Sequence, residues 1–110
     1  MLLDVAIGAF GAHALKNSLS AEMRAVYETG ARYQAYHALG LFAVAWVCSQ
    51  WPGRSVDAAG WCFIGGIVLF SGSLYALSLS GVKALGAITP LGGLLFMLGW
   101  LCLMLSARRA

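Results

Sequence analysis

Apolar residues along this chain come in long blocks rather than in alternation. Residues 59–80 (AGWCFIGGIVLFSGSLYALSLS) contain no charged side chain, and neither do residues 84–106 (ALGAITPLGGLLFMLGWLCLMLS). A bilayer core roughly 30 Å thick is crossed by about 20 apolar residues in helical form, so both blocks are long enough. Residues 33–51 form a third, closed by Pro52-Gly53. A fourth, Leu2–Leu15, would rise only about 21 Å as a helix. The pattern predicts an all-α integral membrane bundle of four transmembrane helices, at about 2–16, 21–50, 59–80 and 84–107. All belong to a single domain, 1–110. The first helix is short or truncated, as a late start or a trimmed N-terminus would make it.

The polar stretch before the third block has helical signals of its own. Ser20 is a candidate N-cap, and Glu22 in the first turn suits the positive end of the helix dipole. Arg24 and Glu28 are four residues apart, as are Glu28 and Arg32, so each pair can bridge on a helix surface. The first third of this helix is therefore expected at or above the lipid surface. Glu28 and Arg32 form an interfacial pair there, contributing at most about 1 kcal/mol.

Small residues recur every seven positions in the last two blocks. Gly65-Gly66, Gly72-Ser73 and Ser80 form one series, and Gly92, Gly99 and Ser106 another, with Gly86 and Gly93 beside it. Small residues at that period let helix backbones approach closely in lipid. With only Gly81-Val82-Lys83 between the blocks, a tight antiparallel hairpin is expected, a homo-oligomer seam being the other use of the same pattern. Thr89-Pro90 interrupts the last block. Either the helix kinks there, or a new helix starts with Thr89 as cap and Pro90 in its first turn. The second option leaves 84–88 as an irregular lead-in that protein must cover, since lipid cannot satisfy free backbone groups.

Composition fits a lipid environment. The chain is 61% hydrophobic and 10% charged, whereas soluble domains are nearer half apolar and a quarter charged. Net charge is +3 with no basic block, so nucleic acid is not an expected partner. Cys48, Cys62 and Cys102 lie inside apolar runs without C-x-x-C spacing and read as packing residues. The opening MLLDVAIGAFGAHA lacks a basic n-region and carries Asp4, so it reads as a retained membrane segment rather than a signal peptide. Basic residues split three against four between the two sides. The compact pair Arg108-Arg109 points to cytoplasmic termini.

The only two histidines sit in near-copies of one string: Ala12-His13-Ala14-Leu15 and Tyr36-His37-Ala38-Leu39. Lys16 and Arg32 serve as markers of the lipid boundary. On that basis His13 and His37 fall at one membrane level, near Tyr33, Gln34 and Thr89. This is the candidate ligand or proton site. Intramembrane polar groups are costly and mark function, and histidine titrates near neutral pH. A packing role is the competing reading, in which each imidazole bonds a carbonyl, Tyr33, Gln34 or Thr89 across the bundle. Metal or haem ligation by His13 and His37 lacks supporting spacing: there is no H-x-x-x-H and no cysteine at that level. No cofactor is expected. No nucleophile–base spacing or P-loop lysine is present, so catalysis is not expected either.

Four ordered strings, GAFGAHALK, TGARYQAYHALGL, LFSGSLYAL and TPLGGLLFMLGW, resemble a family of small bacterial inner-membrane proteins catalogued as domain of unknown function 423. The resemblance covers roughly Ile7 to Trp100. It implies four membrane helices in the bacterial inner membrane and no established activity. Family members usually carry a longer apolar run before GAFGAH. The expected role is a structural or accessory multi-pass membrane component, packed against lipid, against itself or within a larger complex. A small solute or proton transporter built on the His13–His37 cluster is the alternative, and a metal- or haem-binding membrane protein a third.

Overall fold

A computed structural model of the chain describes residues 1–15 and 17–107. Lys16 and the Arg108-Arg109 pair, used above to set the lipid boundary and the orientation, lie outside the described residues. Among those residues all regular structure is helical. Helix α1 spans Leu2–His13, α2 Ala21–Gln50, α3 Arg54–Ser80 and α4 Thr89–Ala107. A 3-10 turn, Lys83–Ala87, precedes α4. Two helical stretches, Arg54–Ser80 and Lys83–Ala107, are long and apolar enough to cross a membrane, and Leu2–His13 is a shorter apolar helix.

The helix ends follow local chemistry. Ser20 takes an extended backbone and its hydroxyl accepts the Met23 N–H at 3.1 Å. Helix α2 ends at Gln50, just before Pro52, with a last backbone bond from Trp51 N–H to the Val47 carbonyl. Helix α3 begins at Arg54, five residues before the apolar block. Its polar first turn needs no lipid, and Asp57 there complements the dipole. Gly81 closes α3 in the left-handed conformation, at φ 74°, and returns its N–H to the Leu77 carbonyl at 2.8 Å. At Thr89-Pro90 the chain breaks rather than kinks: α4 starts at Thr89, with Pro90 in its first turn where no N–H is needed. The lead-in is not covered by protein as expected, since Lys83, Ala84 and Ala87 are exposed. The 3-10 turn satisfies part of its own backbone, through Leu85 N–H to Val82 and Ile88 N–H to Leu85.

The α3–α4 hairpin forms the centre. Buried positions on α3 step through Val56, Ala59, Phe63 and Gly66 at helical spacing, then jump five residues to Ser71 before Leu74 and Ser78. A π-helical segment, Ile67–Ser71, absorbs that jump. A π turn holds one more residue than an α turn, so the buried face stays aligned along 27 residues. Opposite it, α4 presents Gly92, Phe96, Gly99, Leu103 and Ser106. A Cβ at Gly92 would run into the Phe70 backbone, one at Gly66 into the Phe96 ring, and one at Gly99 would lie 2.6 Å from Phe63. Gly65 lies more loosely against Leu95, at 3.2 Å. Gly72 and Gly93 do not belong to the seam. A Cβ at Gly72 would meet nothing, and one at Gly93 only ordinary contacts with Phe70. The seven-residue series failed at Gly72 because the π segment shifts the register there.

Helix α1 lies along the first half of α2. The Tyr27 hydroxyl donates to the Ile7 carbonyl at 2.6 Å, and Gly11 leaves room for the Tyr27 ring.

Gly92→Ala is expected to destabilise the bundle by about 1–3 kcal/mol, the usual cost of forcing atoms into packed space. Gly72→Ala is expected to be neutral or to stabilise by roughly 0.5–1 kcal/mol, since it only removes backbone freedom from a helix. Reversible unfolding in mixed micelles, followed by circular dichroism, checks the contrast.

Candidate functional site: a histidine held between three helices

His37 is the most enclosed ionisable side chain of the apolar bundle, 4% exposed on the inner face of α2. Its Nδ1 lies 2.8 Å from the Tyr33 carbonyl oxygen, one turn back on the same helix. Its Nε2 lies 2.9 Å from Trp100 Nε1 on α4. A carbonyl only accepts and an indole N–H only donates, so the tautomer is fixed: Nδ1 carries the proton and Nε2 is bare. The ring stacks on Phe96, with centroids 3.6 Å apart and planes 7° from parallel, and Phe63 of α3 meets its edge at 5.3 Å. Gly40, one turn further along α2, gives Phe63 and Trp100 their space. His37 is thus a complete donor–acceptor link joining α2 to α4 inside an aromatic cradle. Neither ring nitrogen retains a lone pair for a metal or an iron.

Beside the cradle a lateral groove of about 740 Å³ opens on the outer surface, lined by Tyr33, His37, Phe70, Pro90, Phe96 and Trp100. Tyr33 forms part of its wall, its ring 4.8 Å from that of Phe70. The groove is almost wholly apolar, with the His37–Trp100 link at its floor.

The other predicted site residues are dispersed. Gln34 is buried, and its Oε1 accepts from the Tyr75 hydroxyl at 2.6 Å, tying α2 to α3. Thr89 shares a hydrogen bond of 2.6 Å with Ser73, tying the start of α4 to α3. Ser71, fully buried, donates to the Gly30 carbonyl at 2.7 Å. These three links and His37–Trp100 each use a different pair of partners.

His13 is not part of the site. It is exposed at the end of α1. Its neighbour Gly11 packs on Tyr27, and Tyr27 precedes His37 by ten residues, about 15 Å along α2. The short connection between α1 and α2 sets this level. It docks the C-terminal half of α1 against the polar first third of α2, so the charged residues were poor markers of depth. Glu28 lines a small cleft of about 60 Å³ with Arg24, Tyr27 and Gly11, while Arg32 is exposed on the outer surface.

The sequence analysis did not single out Trp100 and Phe96 as partners of His37. The signal lay in α4 itself. Gly92, Phe96, Gly99 and Leu103 recur at spacings of four, three and four, which marks one helical face, and Trp100 stands at the edge of that face.

Bulky apolar side chains such as Leu39, Phe42, Trp61, Val68, Leu94 and Met104 point outward, whereas the buried side chains of Gln34, His37, Ser71, Ser73, Ser78 and Ser106 find partners inside. Together with the two apolar helices long enough to span lipid, this defines a helical membrane protein. A family model described as a protein of unknown function (DUF423) matches residues 7–93. The UPF0382 membrane protein YwdK of Bacillus subtilis (strain 168) is 50% identical over 107 residues, covering 96% of this chain and 87% of its own length. UPF0382 membrane proteins of Staphylococcus saprophyticus and Staphylococcus haemolyticus are 48% and 49% identical over 105 residues. These cover 96% of this chain and 87% and 85% of their own lengths. The chain belongs to the DUF423 family. No solved structure matches it.

A double-mutant cycle with His37→Ala and Trp100→Phe is expected to give a coupling of about 0.6–1.7 kcal/mol, the range of hydrogen bonds between membrane helices. His13→Ala is expected to stay within about 0.5 kcal/mol of wild type, as exposed substitutions do. Unfolding free energies of the four proteins of the cycle and of the His13 variant supply both numbers.

Proposed function

We propose that this protein is a multi-pass accessory component of the bacterial plasma membrane, with four membrane segments and both termini in the cytoplasm. The observation that carries this reading is the inside-out character of α2. Its overall apolarity falls short of a spanning helix because Gln34 and His37 dilute it, and both are buried and hydrogen-bonded. The face left outside is Leu39, Phe42 and Trp46. A helix that turns polar groups inward and bulky apolar groups outward suits a hydrocarbon solvent and would be unstable in water. Helix α1 contributes a short segment with the same outward apolar face, in Leu2, Leu3, Val5 and Phe10.

The accessory role follows from how the polar groups are spent. The side chains of His37, Gln34 and Thr89 are each consumed in a link between helices, which fixes a rigid scaffold. The transport and haem readings depended on two histidines meeting, and His13 and His37 lie at different levels. A scaffold of this kind acts through its outer surface, where the aromatic groove and apolar ridges meet lipid, another copy or a larger membrane complex.

Topology tests the reading. Single cysteines introduced into a cysteine-free background at Asn17, Gly53 and Val82 are to be labelled with an impermeant maleimide in spheroplasts and in inverted vesicles. Four segments place residues 17 and 82 outside and 53 inside. If α2 does not cross, residues 17 and 53 label from the same side, and the proposal fails.

A further inference from the structure

The groove beside the His37 cradle is wider than helix packing requires. Its walls are rings: Tyr33 of α2, Phe70 of α3, and Phe96 and Trp100 of α4. Helix α4 lines it from Pro90 to Trp100, about 15 Å along the axis. Gly93 lies on that wall. A Cβ there would make only ordinary contacts with Phe70, at 3.8 and 3.9 Å, so no neighbouring helix demands a glycine. Its missing side chain instead leaves the groove open, at about 740 Å³, a size that suits a small-molecule site.

The walls are held in place by the bundle. Phe70 belongs to the π-helical segment, and its backbone rests on Gly92. Its ring lies 4.8 Å from that of Tyr33 and 5.4 Å from that of Phe96. Trp100 spends its N–H on His37 and leaves ring surface, 43% exposed. Tyr33 carries the one side-chain hydroxyl among the lining residues. His37 occupies its carbonyl, but its hydroxyl takes part in no hydrogen bond among the described residues. In hydrocarbon an unpaired hydroxyl is costly, so this one calls for an acceptor.

These features select among lipid-soluble ligands. Aromatic faces are electron-rich and attract cations or electron-poor rings. A cation in hydrocarbon needs a counter-charge, and no lining residue is acidic. An acyl chain gains little from these walls, since bulk lipid offers it equivalent contacts, and its methylenes give Tyr33 no acceptor. A neutral, flat, electron-poor ring that bears a carbonyl meets both demands. With an apolar tail, such a molecule belongs to the quinone class.

We propose that the groove binds the ring of a lipid-soluble quinone. Tyr33 donates to a ring carbonyl, and Phe70, Phe96 and Trp100 supply the stacking surface. The tail leaves into lipid past Leu94 and Met97, both exposed. The assignment is of binding alone, and it rests on the membrane reading above, in which the mouth of the groove faces lipid.

Replacing Trp46, Trp51 and Trp61 by phenylalanine leaves Trp100 as the only tryptophan, a reporter in the groove wall. This protein is to be titrated, in nanodiscs of phosphatidylethanolamine and phosphatidylglycerol, with a benzoquinone carrying one isoprene unit. A quinone that merely diffuses past quenches Trp100 fluorescence in proportion to its mole fraction in the lipid, whereas a bound one quenches to saturation. Saturation is expected. Adding Gly93→Leu, which fills the groove, should leave only the proportional part. Adding Tyr33→Phe should raise the half-saturation point about 3–15-fold, the effect of one hydrogen bond within a membrane. Proportional quenching with Gly93 present overturns the proposal, as does saturation that Gly93→Leu does not change. Retention of the tritiated quinone by wild-type nanodiscs, above that of empty ones and lost in Gly93→Leu, reads the same site without replacing a tryptophan. A phospholipid or a second copy of the chain that native mass spectrometry finds on wild type but not on Gly93→Leu, with no quinone retained, also overturns it. Failure of quinone binding in a protein whose maleimide labelling gives four segments removes the ligand alone. Same-side labelling at residues 17 and 53 removes the membrane reading itself.

Discussion

The backbone-to-backbone contact of α3 with α4 is what the rest of the molecule depends on. Gly92 lets the Phe70 backbone lie directly on it, and Gly66 and Gly99 admit the Phe96 and Phe63 rings from the opposite helix. Burying apolar surface brings little gain when the solvent is itself hydrocarbon, so close dispersion contacts must hold such helices together. The π segment at Ile67–Ser71 serves that contact, because without its extra residue the buried face of α3 would rotate away from α4 halfway along. Phe96, fixed in this seam, is also the ring on which His37 stacks. The cradle is therefore a product of the glycine contacts.

Around this seam the polar side chains act as fasteners. Tyr75–Gln34 and Ser71–Gly30 join α3 to α2, Ser73–Thr89 joins α3 to the start of α4, and Trp100–His37 joins α4 to α2. In hydrocarbon an unpaired polar group is costly, so each link specifies one register among several that dispersion alone would tolerate. Among the described residues, α1 has one such link, from the Tyr27 hydroxyl to the Ile7 carbonyl. It is the helix least firmly tied to the bundle.

Much of this was readable from the chain. The uncharged blocks at 59–80 and 84–106 gave the two longest apolar helices, and Ser20 marked the start of α2 through its hydroxyl. Thr89-Pro90 marked an interruption that could be a kink or a helix start, and the chain takes the start, where proline suits a first turn. His37 was recognised as a polar residue needing a partner. Its partner was not, because Trp100 lies 63 positions away and its indole reads equally well as an interfacial anchor. Nor was the π segment legible. The glycine series assumed a constant period, and one inserted residue put Gly72 outside. The pairing of His13 with His37 failed because depth was inferred from charged residues, whereas the short connection after α1 determines where that helix docks.

The central claim is that His37 is a neutral, internally satisfied link in a dry membrane interior. Nitrogen-15 NMR of labelled histidine in lipid bilayers tests it most directly, with His13→Gln leaving His37 as the only histidine. The account predicts a protonated Nδ1 and an unprotonated Nε2, with a through-bond or through-space correlation from Nε2 to the Trp100 indole hydrogen. An imidazole protonated at Nε2, or one exchanging freely with water and without contact to Trp100, would contradict it.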